Sequence, residues 1–142
     1  MPSKILVPVD GSKYSKKALE QALSIAKGTG ASVTVIHVIE TPPTVYVESQ
    51  KVLDSAMAKY KSESARMLDE YKAAAEELGF RIDTAIVAEG DPAASIVAFC
   101  EKGGFDMIAM GSRGHGKLKE MVLGSTTSKV LRQAKCSVLI VK

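Results

Sequence analysis

Five short apolar runs, separated each time by a stretch with helical periodicity, constrain this chain more than any other feature of its sequence. These are KILVPV (Lys4–Val9), rich in β-branched residues, SVTVIHVI (Ser32–Ile39), nearly continuous in apolar character, Arg81–Ala88, FDMIAM (Phe105–Met110) and SVLIV (Ser137–Val141). A strand buried on both faces reads as the second does. Between the first two, Ala18, Leu19, Ala22, Leu23 and Ala26 fall on one helical face, and Gly28 and Gly30 end it. From about Glu48 to Leu78, Met57, Tyr60, Met67, Leu68, Tyr71, Ala75 and Leu78 keep a spacing of three to four, which predicts one long helix stopped at Gly79. Asp91-Pro92 opens the next helix, an acid at the cap followed by proline at the first helical position. A last stretch, from Leu118 to about Gln133, is expected to be mostly helical with an interruption at Gly124. Alternation of this kind predicts an α/β fold with a parallel sheet covered on both faces, because every parallel crossover needs a helix-length connection. Neither a repeat nor a linker divides the 142 residues, so a single domain, 1–142, is expected.

A chain of this length buries roughly two thirds of its unfolded surface and needs no metal or disulfide to fold. With 19 Lys+Arg against 16 Asp+Glu, the net charge of +3 is small and evenly spread, and no basic run alternates with aromatics. Nucleic acid is therefore not an expected partner. The start, MPSKILVPVDGS, has an apolar run too short for a signal peptide or a membrane span, so the expectation is a cytoplasmic protein without a membrane partner. Cys100 and Cys136, one in a helix and one just before a strand, are expected to be buried thiols in a reducing compartment. Metal-ligand spacing is absent.

In open parallel sheets, ligands bind beyond the carboxyl ends of the strands, where the strand order reverses. Two segments at such ends carry suggestive chemistry: Pro8-Val9-Asp10 and the stretch MGSRGHGKLKEMVLGSTTSK, Met110–Lys129. In the latter, Gly111, Gly116 and Lys117 fit the G-x-x-x-x-G-K phosphate loop, but Leu118 stands where that loop needs a magnesium-binding hydroxyl. Gly111-Ser112-Arg113-Gly114 follows a strand directly, where glycines permit positive φ and close approach of a ligand to the main chain. Gly124-Ser125-Thr126-Thr127-Ser128 opens a helix whose free N–H groups favour an anion. The competing reading is that Ser125 merely caps the helix and the glycines merely turn the chain.

Gly111-x2-Gly114-x9-Gly124-Ser125 resembles the nucleotide motif of the universal stress protein family, in its ATP-binding branch. KILVPVDGS, SVTVIHVIE, the long second helix, FDMIAMGSRG and SVLIVK are similar to that family as well, so the resemblance spans essentially the whole chain. It implies a Rossmann-like three-layer domain with a five-stranded sheet of order 3-2-1-4-5, which puts the reversal between the first and fourth strands. Carried over position by position, it implies that Pro8, Val9 and Asp10 line the adenosine end, with Asp10 accepting from ribose hydroxyls, and that Val38 and Met110 complete an adenine pocket. Gly111, Arg113 and Gly114 would wrap the ribose and first phosphates, and Gly124, Ser125, Thr126 and Thr127 the remaining phosphates. Mg2+ would ride on the phosphates, since the sequence offers no carboxylate cluster for it. On this reading the near-match to a phosphate loop at Gly116-Lys117 is coincidence.

Rival roles stand beside several of these. Asp10 is also a natural helix cap, and Arg113 and Lys117 either counter phosphate charge or are solvated. His115 sits where a general base would stand, but no nucleophile can be placed beside it, so no catalytic residue is expected. His37 reads as a satisfied core histidine. The resemblance implies homodimerisation through an antiparallel pairing of the last strand, Ser137–Val141, which would cover its bare edge. It also implies a nucleotide-dependent regulatory switch in the stress response, acting on an unidentified protein partner with slow or no hydrolysis. The alternatives are an enzyme related to the α/β nucleotide hydrolases, by ATPase or adenylyl transfer, and a ligand-free interaction module.

Overall fold

In the computed structural model of the chain, residues 2–40, 50–115 and 122–142 are described. Five strands alternate with four helices: β1 Lys4–Pro8, α1 Lys13–Thr29, β2 Ser32–Ile39, α2 Gln50–Glu77, β3 Thr84–Glu89, α3 Pro92–Gly103, β4 Met107–Gly111, α4 Ser125–Gln133 and β5 Ser137–Val141. All neighbouring strands pair in parallel, in the order β3-β2-β1-β4-β5.

Strand pleating sends successive side chains to opposite faces, and the core divides accordingly. Ile5 and Val7 join Val33, Val35, Leu19, Leu23 and Leu68 under α1 and α2. Leu6 and Ile36 join Ile96, Ile108, Met110 and Val130 under α3 and α4. Ile5, Leu6 and Val7 are wholly buried, and each contributes about 1.5–3 kcal/mol by leaving water. The central strand is thus anchored on both faces, which fixes where its carboxyl end, Pro8-Val9-Asp10, emerges.

Several predicted boundaries shift for identifiable reasons. The third strand begins at Thr84, not Arg81, because the Asp83 carboxylate accepts from the Val33 N–H (2.8 Å) and replaces a ladder bond with a side-chain one. The fourth begins at Met107, not Phe105: the Asp106 carboxylate is occupied by the main-chain N–H groups of Ser3 and Lys4. The first ends at Pro8. The last helix starts at Ser125, and Val122 and Leu123 before it are not helical; residues 118–121 of the predicted helix lie outside the described residues, as does the predicted start of the long helix at Glu48. Asp91 caps α3 as expected, accepting from the Ala94 N–H at 3.0 Å.

Among the described residues, no helix is long and apolar enough to cross a membrane. No group of three or more His, Cys, Asp or Glu there could hold a metal ion.

Candidate functional site

Strands β1 and β4 pair over Ile5↔Met107 and Leu6↔Ile108, while β1 stays with β2 as far as Pro8↔Ile36. A crevice opens beyond that point, at the reversal of strand order. It forms a cavity of about 330 Å³.

Its walls contain all twelve residues singled out in the sequence: Pro8, Val9 and Asp10 from the end of β1 and the turn after it, Val38 from β2, Met110, Gly111, Arg113 and Gly114 from β4 and its loop, and Gly124, Ser125, Thr126 and Thr127 at the start of α4. Four further lining residues escaped the sequence reading: Ser15, Ile36, Pro92 and Ile96. Ile36 precedes Val38 by one strand period, and Pro92 and Ile96 sit on the face of α3 that the Asp91-Pro92 start presents to the sheet, so their periodicity was the available signal. The resulting chemistry is graded. Apolar Ile36, Val38, Ile96 and Met110 form one end, and main-chain amides with hydroxyls form the other.

The polar end is built by the first turn of α4. Gly124 is its N-cap and no side chain caps it; the reading in which Ser125 serves as the cap is therefore overturned, because Ser125 is already inside the helix. The first N–H groups of a helix have no intrahelical partner and carry the positive end of the dipole. Here that end faces the cavity. Gly124 itself donates its N–H to the Ser112 carbonyl (2.8 Å), which ties the helix to the loop after β4. Thr127 donates its hydroxyl to the Gly111 carbonyl at 2.9 Å and is buried, which leaves its main-chain N–H as the group it can offer.

The loop glycines have a different reason from the one expected. Gly111, Gly114 and Gly124 do not adopt positive φ; close packing crowds a Cβ at each, against fixed atoms at Gly111 and against a rotatable carboxylate at Gly114. At Gly111 it would lie 2.7 Å from the Tyr14 Cβ and 2.8 Å from the Tyr14 carbonyl carbon, at Gly114 2.6 Å from the Asp10 Oδ2, and at Gly124 3.1 Å from the Arg113 Cα. Positive φ is used instead at Gly11 (+83°), where β1 turns into α1.

That turn also settles the helix-cap reading of Asp10. Ser12 is the cap of α1, accepting from the Ser15 N–H (3.2 Å), while the Asp10 Oδ1 accepts from the Ser12 N–H (2.9 Å). One carboxylate oxygen braces the turn and the other lies beside Gly114. Two imidazoles hold the main chain behind it: His37 donates Nδ1–H to the Val9 carbonyl (2.7 Å), and His115 donates Nε2–H to the Asp10 carbonyl (2.6 Å). His37 is half-buried and satisfied, as expected of it. Burial pushes the Tyr71 phenol above its ordinary value, so it stays neutral and shares a hydrogen bond with the Ser15 hydroxyl at 3.1 Å. Arg113 is half-buried, its guanidinium 4.6 Å above the Tyr14 ring, a cation–π contact that holds the cation at the cavity wall. Gly116, Lys117 and Leu118 lie outside the described residues.

Comparison with known proteins gives a consistent picture. The profile of the Universal stress protein family matches residues 1–142. The chain is 38% identical to universal stress protein MJ0531 of Methanocaldococcus jannaschii, covering 98% of this chain and 81% of that protein. The solved structure of protein MJ0577 from the same organism superimposes with a TM-score of 0.85 at 32% identity, over 99% of this chain and 95% of the other. A more distant universal stress protein, solved in complex with cAMP, shares the fold at 23% identity and a TM-score of 0.67, over 99% of this chain and 96% of that one. On the strength of a match over its full length and of the shared sheet order, the chain belongs to the universal stress protein family.

Proposed function

We propose that this protein binds ATP in the crevice between β1 and β4 and acts as a nucleotide-dependent regulatory switch in the stress response. The observation that carries this reading is the uncapped first turn of α4 opening into the same cavity as the Asp10 carboxylate and an apolar end. An anion belongs at the first, a pair of vicinal hydroxyls at the second and a flat heterocycle at the third. The related fold solved with cAMP supports a nucleotide as the ligand class.

In this assignment Val38 and Met110 flank the adenine, with Pro8 and Val9 along the adenosine. Asp10 accepts from the ribose hydroxyls. Gly111, Arg113 and Gly114 wrap the ribose and first phosphates, and Gly124, Ser125, Thr126 and Thr127 hold the rest through main-chain N–H groups and the hydroxyls of Ser125 and Thr126. Any Mg2+ accompanying the nucleotide would be held by the phosphates, since the described residues offer no cluster of His, Cys, Asp or Glu for it. His115 gives its Nε2 proton to a main-chain carbonyl, so binding rather than turnover is the activity proposed, and occupancy of the crevice is what a protein partner in the cytoplasm would read.

The outermost strand, β5, has half-exposed Val138, Leu139, Ile140 and Val141 along an edge beyond β4. We assign it to an antiparallel pairing with a second copy, which would satisfy its main-chain groups. Equilibrium ultracentrifugation at micromolar concentration then returns a dimer; a monomer would remove this part of the reading.

The test of the function is thermal unfolding with ATP-Mg. Ligand at a hundred times its Kd stabilises by about 2.7 kcal/mol, a rise of roughly 8–12 °C for a chain of this size. Gly124→Val pushes its side chain onto the Arg113 main chain and abolishes that rise. An unchanged melting curve at millimolar ATP-Mg would refute the proposal.

A further inference from the structure

On the face of the sheet covered by α3 and α4, at the end of those helices remote from the crevice, the two cysteines of the chain meet. Cys100 lies in the last turns of α3 and Cys136 three residues beyond the end of α4, and their sulfurs are 3.3 Å apart. Both are free thiols. Separation by 36 residues in sequence makes this contact a product of the fold. A bonded pair needs about 2.05 Å, so closing it takes a movement of little more than 1 Å, shared between a helix terminus and a short connection.

The two sulfurs differ in their surroundings. Cys100 is buried and donates its S–H to the Phe105 carbonyl at 3.6 Å. Burial first, and then the neighbouring Cys136 thiol, push its titration up to about 12. Cys136 is only half-buried, and both cysteines help line a second cavity, with Val97, Glu101, Phe105 and Lys135 among its walls. One thiol is therefore accessible to a small polar oxidant and the other waits behind it, protonated and held in place.

We infer that Cys100 and Cys136 form a reversible thiol–disulfide site for hydroperoxides, with Cys136 the attacking thiol and Cys100 the resolving one. Cys136 loses its proton to water and its thiolate attacks the outer peroxide oxygen, breaking the O–O bond; the leaving alkoxide takes up that proton, and a sulfenic acid remains on Cys136. Cys100 sulfur then attacks the Cys136 sulfur, hydroxide departs with the Cys100 proton as water, and the S–S bond forms. Two thiols supply two electrons, and one peroxide becomes one alcohol and one water, or two waters from hydrogen peroxide. A cellular dithiol returns the pair to the reduced state by exchange. The bridge ties α3 to the connection between α4 and β5, joining elements whose opposite ends line the crevice through Pro92, Ile96 and Ser125.

The experiment treats the reduced protein with hydrogen peroxide, counts thiols and maps the peptides by mass spectrometry. No nucleotide is present, so the result is independent of the proposed ligand. Expected are a fall from two thiols to none, a loss of about 2 Da in a chain still monomeric on a denaturing gel, and a Cys100–Cys136 cross-linked peptide pair, all reversed by dithiothreitol. In Cys100→Ala, which keeps the buried position small and apolar, a dimedone-reactive sulfenic acid accumulates on Cys136; in Cys136→Ser, Cys100 stays a thiol on the same timescale. Two thiols persisting in the treated wild type, over-oxidation of Cys136 without a bridge, or disulfides only between chains would overturn the inference. So would equal peroxide reactivity of Cys100 in Cys136→Ser.

Discussion

Alanine at Gly114 and alanine at Gly111 add the same methyl group three residues apart, and the structure demands opposite consequences from them. At Gly114 the new Cβ lies 2.6 Å from the Asp10 Oδ2, where ordinary contact begins at 3.4 Å, so the oxygen must retreat by about 0.8 Å. It sits at the end of a rotatable side chain and can do so at little cost to the fold. What is lost is the aim of the carboxylate, whose other oxygen is anchored to the Ser12 N–H at 2.9 Å. A hydrogen bond to a charged group is worth about 1.5–3 kcal/mol, and each 1.4 kcal/mol is tenfold in affinity. Gly114→Ala therefore weakens ATP by roughly ten- to a hundredfold while lowering the melting temperature of the free protein by less than about 3 °C. At Gly111 the Cβ meets the Tyr14 Cβ and carbonyl carbon at 2.7 and 2.8 Å, and neither can rotate away because they belong to the body of α1. Overpacking of this kind costs about 1–3 kcal/mol, and the free protein melts roughly 3–10 °C lower. Isothermal titration calorimetry with ATP-Mg and thermal unfolding without it separate the two. Wild-type affinity in Gly114→Ala, or equal melting losses in both variants, would refute the assignment of Asp10 to the ligand.

Two further outcomes follow from single hydrogen bonds. Thr127→Val keeps the shape of a buried side chain but leaves the Gly111 carbonyl without its donor, so urea unfolding should shift to a lower midpoint, by about 1–3 kcal/mol, with an unchanged slope. Asp106, exposed at the mouth of β4, is held below the usual carboxylate range by the Ser3 N–H, then the Ser3 hydroxyl, with the Lys4 N–H adding to them. A depressed carboxylate contributes stability above its unfolded value, near 3.8, and loses it as pH falls through the folded one. Asp106→Asn should therefore flatten the acid side of the stability curve below about pH 4; superimposable curves for the two proteins would discard this explanation.

The parts of the structure legible in the sequence are those set by local physics. Ser32–Ile39 and Ser137–Val141 emerge with the expected bounds: the first is largely buried on both faces, and the second, half-exposed at the sheet edge, is a compact run rich in β-branched residues. Asp91-Pro92 marks a helix start by chemistry confined to four residues. The crevice was legible through the resemblance to the family, which implied the strand order and the twelve residues that line the cavity. What escaped is what depends on approach in space. The side chains of Asp83 and Asp106 trim two strands by bonding to distant main chain. Tyr14, Asp10 and Arg113 crowd the space beside three glycines in a way a sequence cannot display. The meeting of Cys100 and Cys136 belongs to the same class.

The end of the last strand reaches further into the molecule than its position suggests. The Val141 carbonyl accepts from the Ser112 N–H at 2.8 Å, and the Ser112 carbonyl accepts at 2.8 Å from the N–H of Gly124, the residue that caps α4. Two main-chain links thus form a relay from the rim of the sheet to the anion-attracting helix tip. In the proposed dimer and nucleotide complex, a partner copy on that rim and an anion at that tip would stand only two main-chain hydrogen bonds apart.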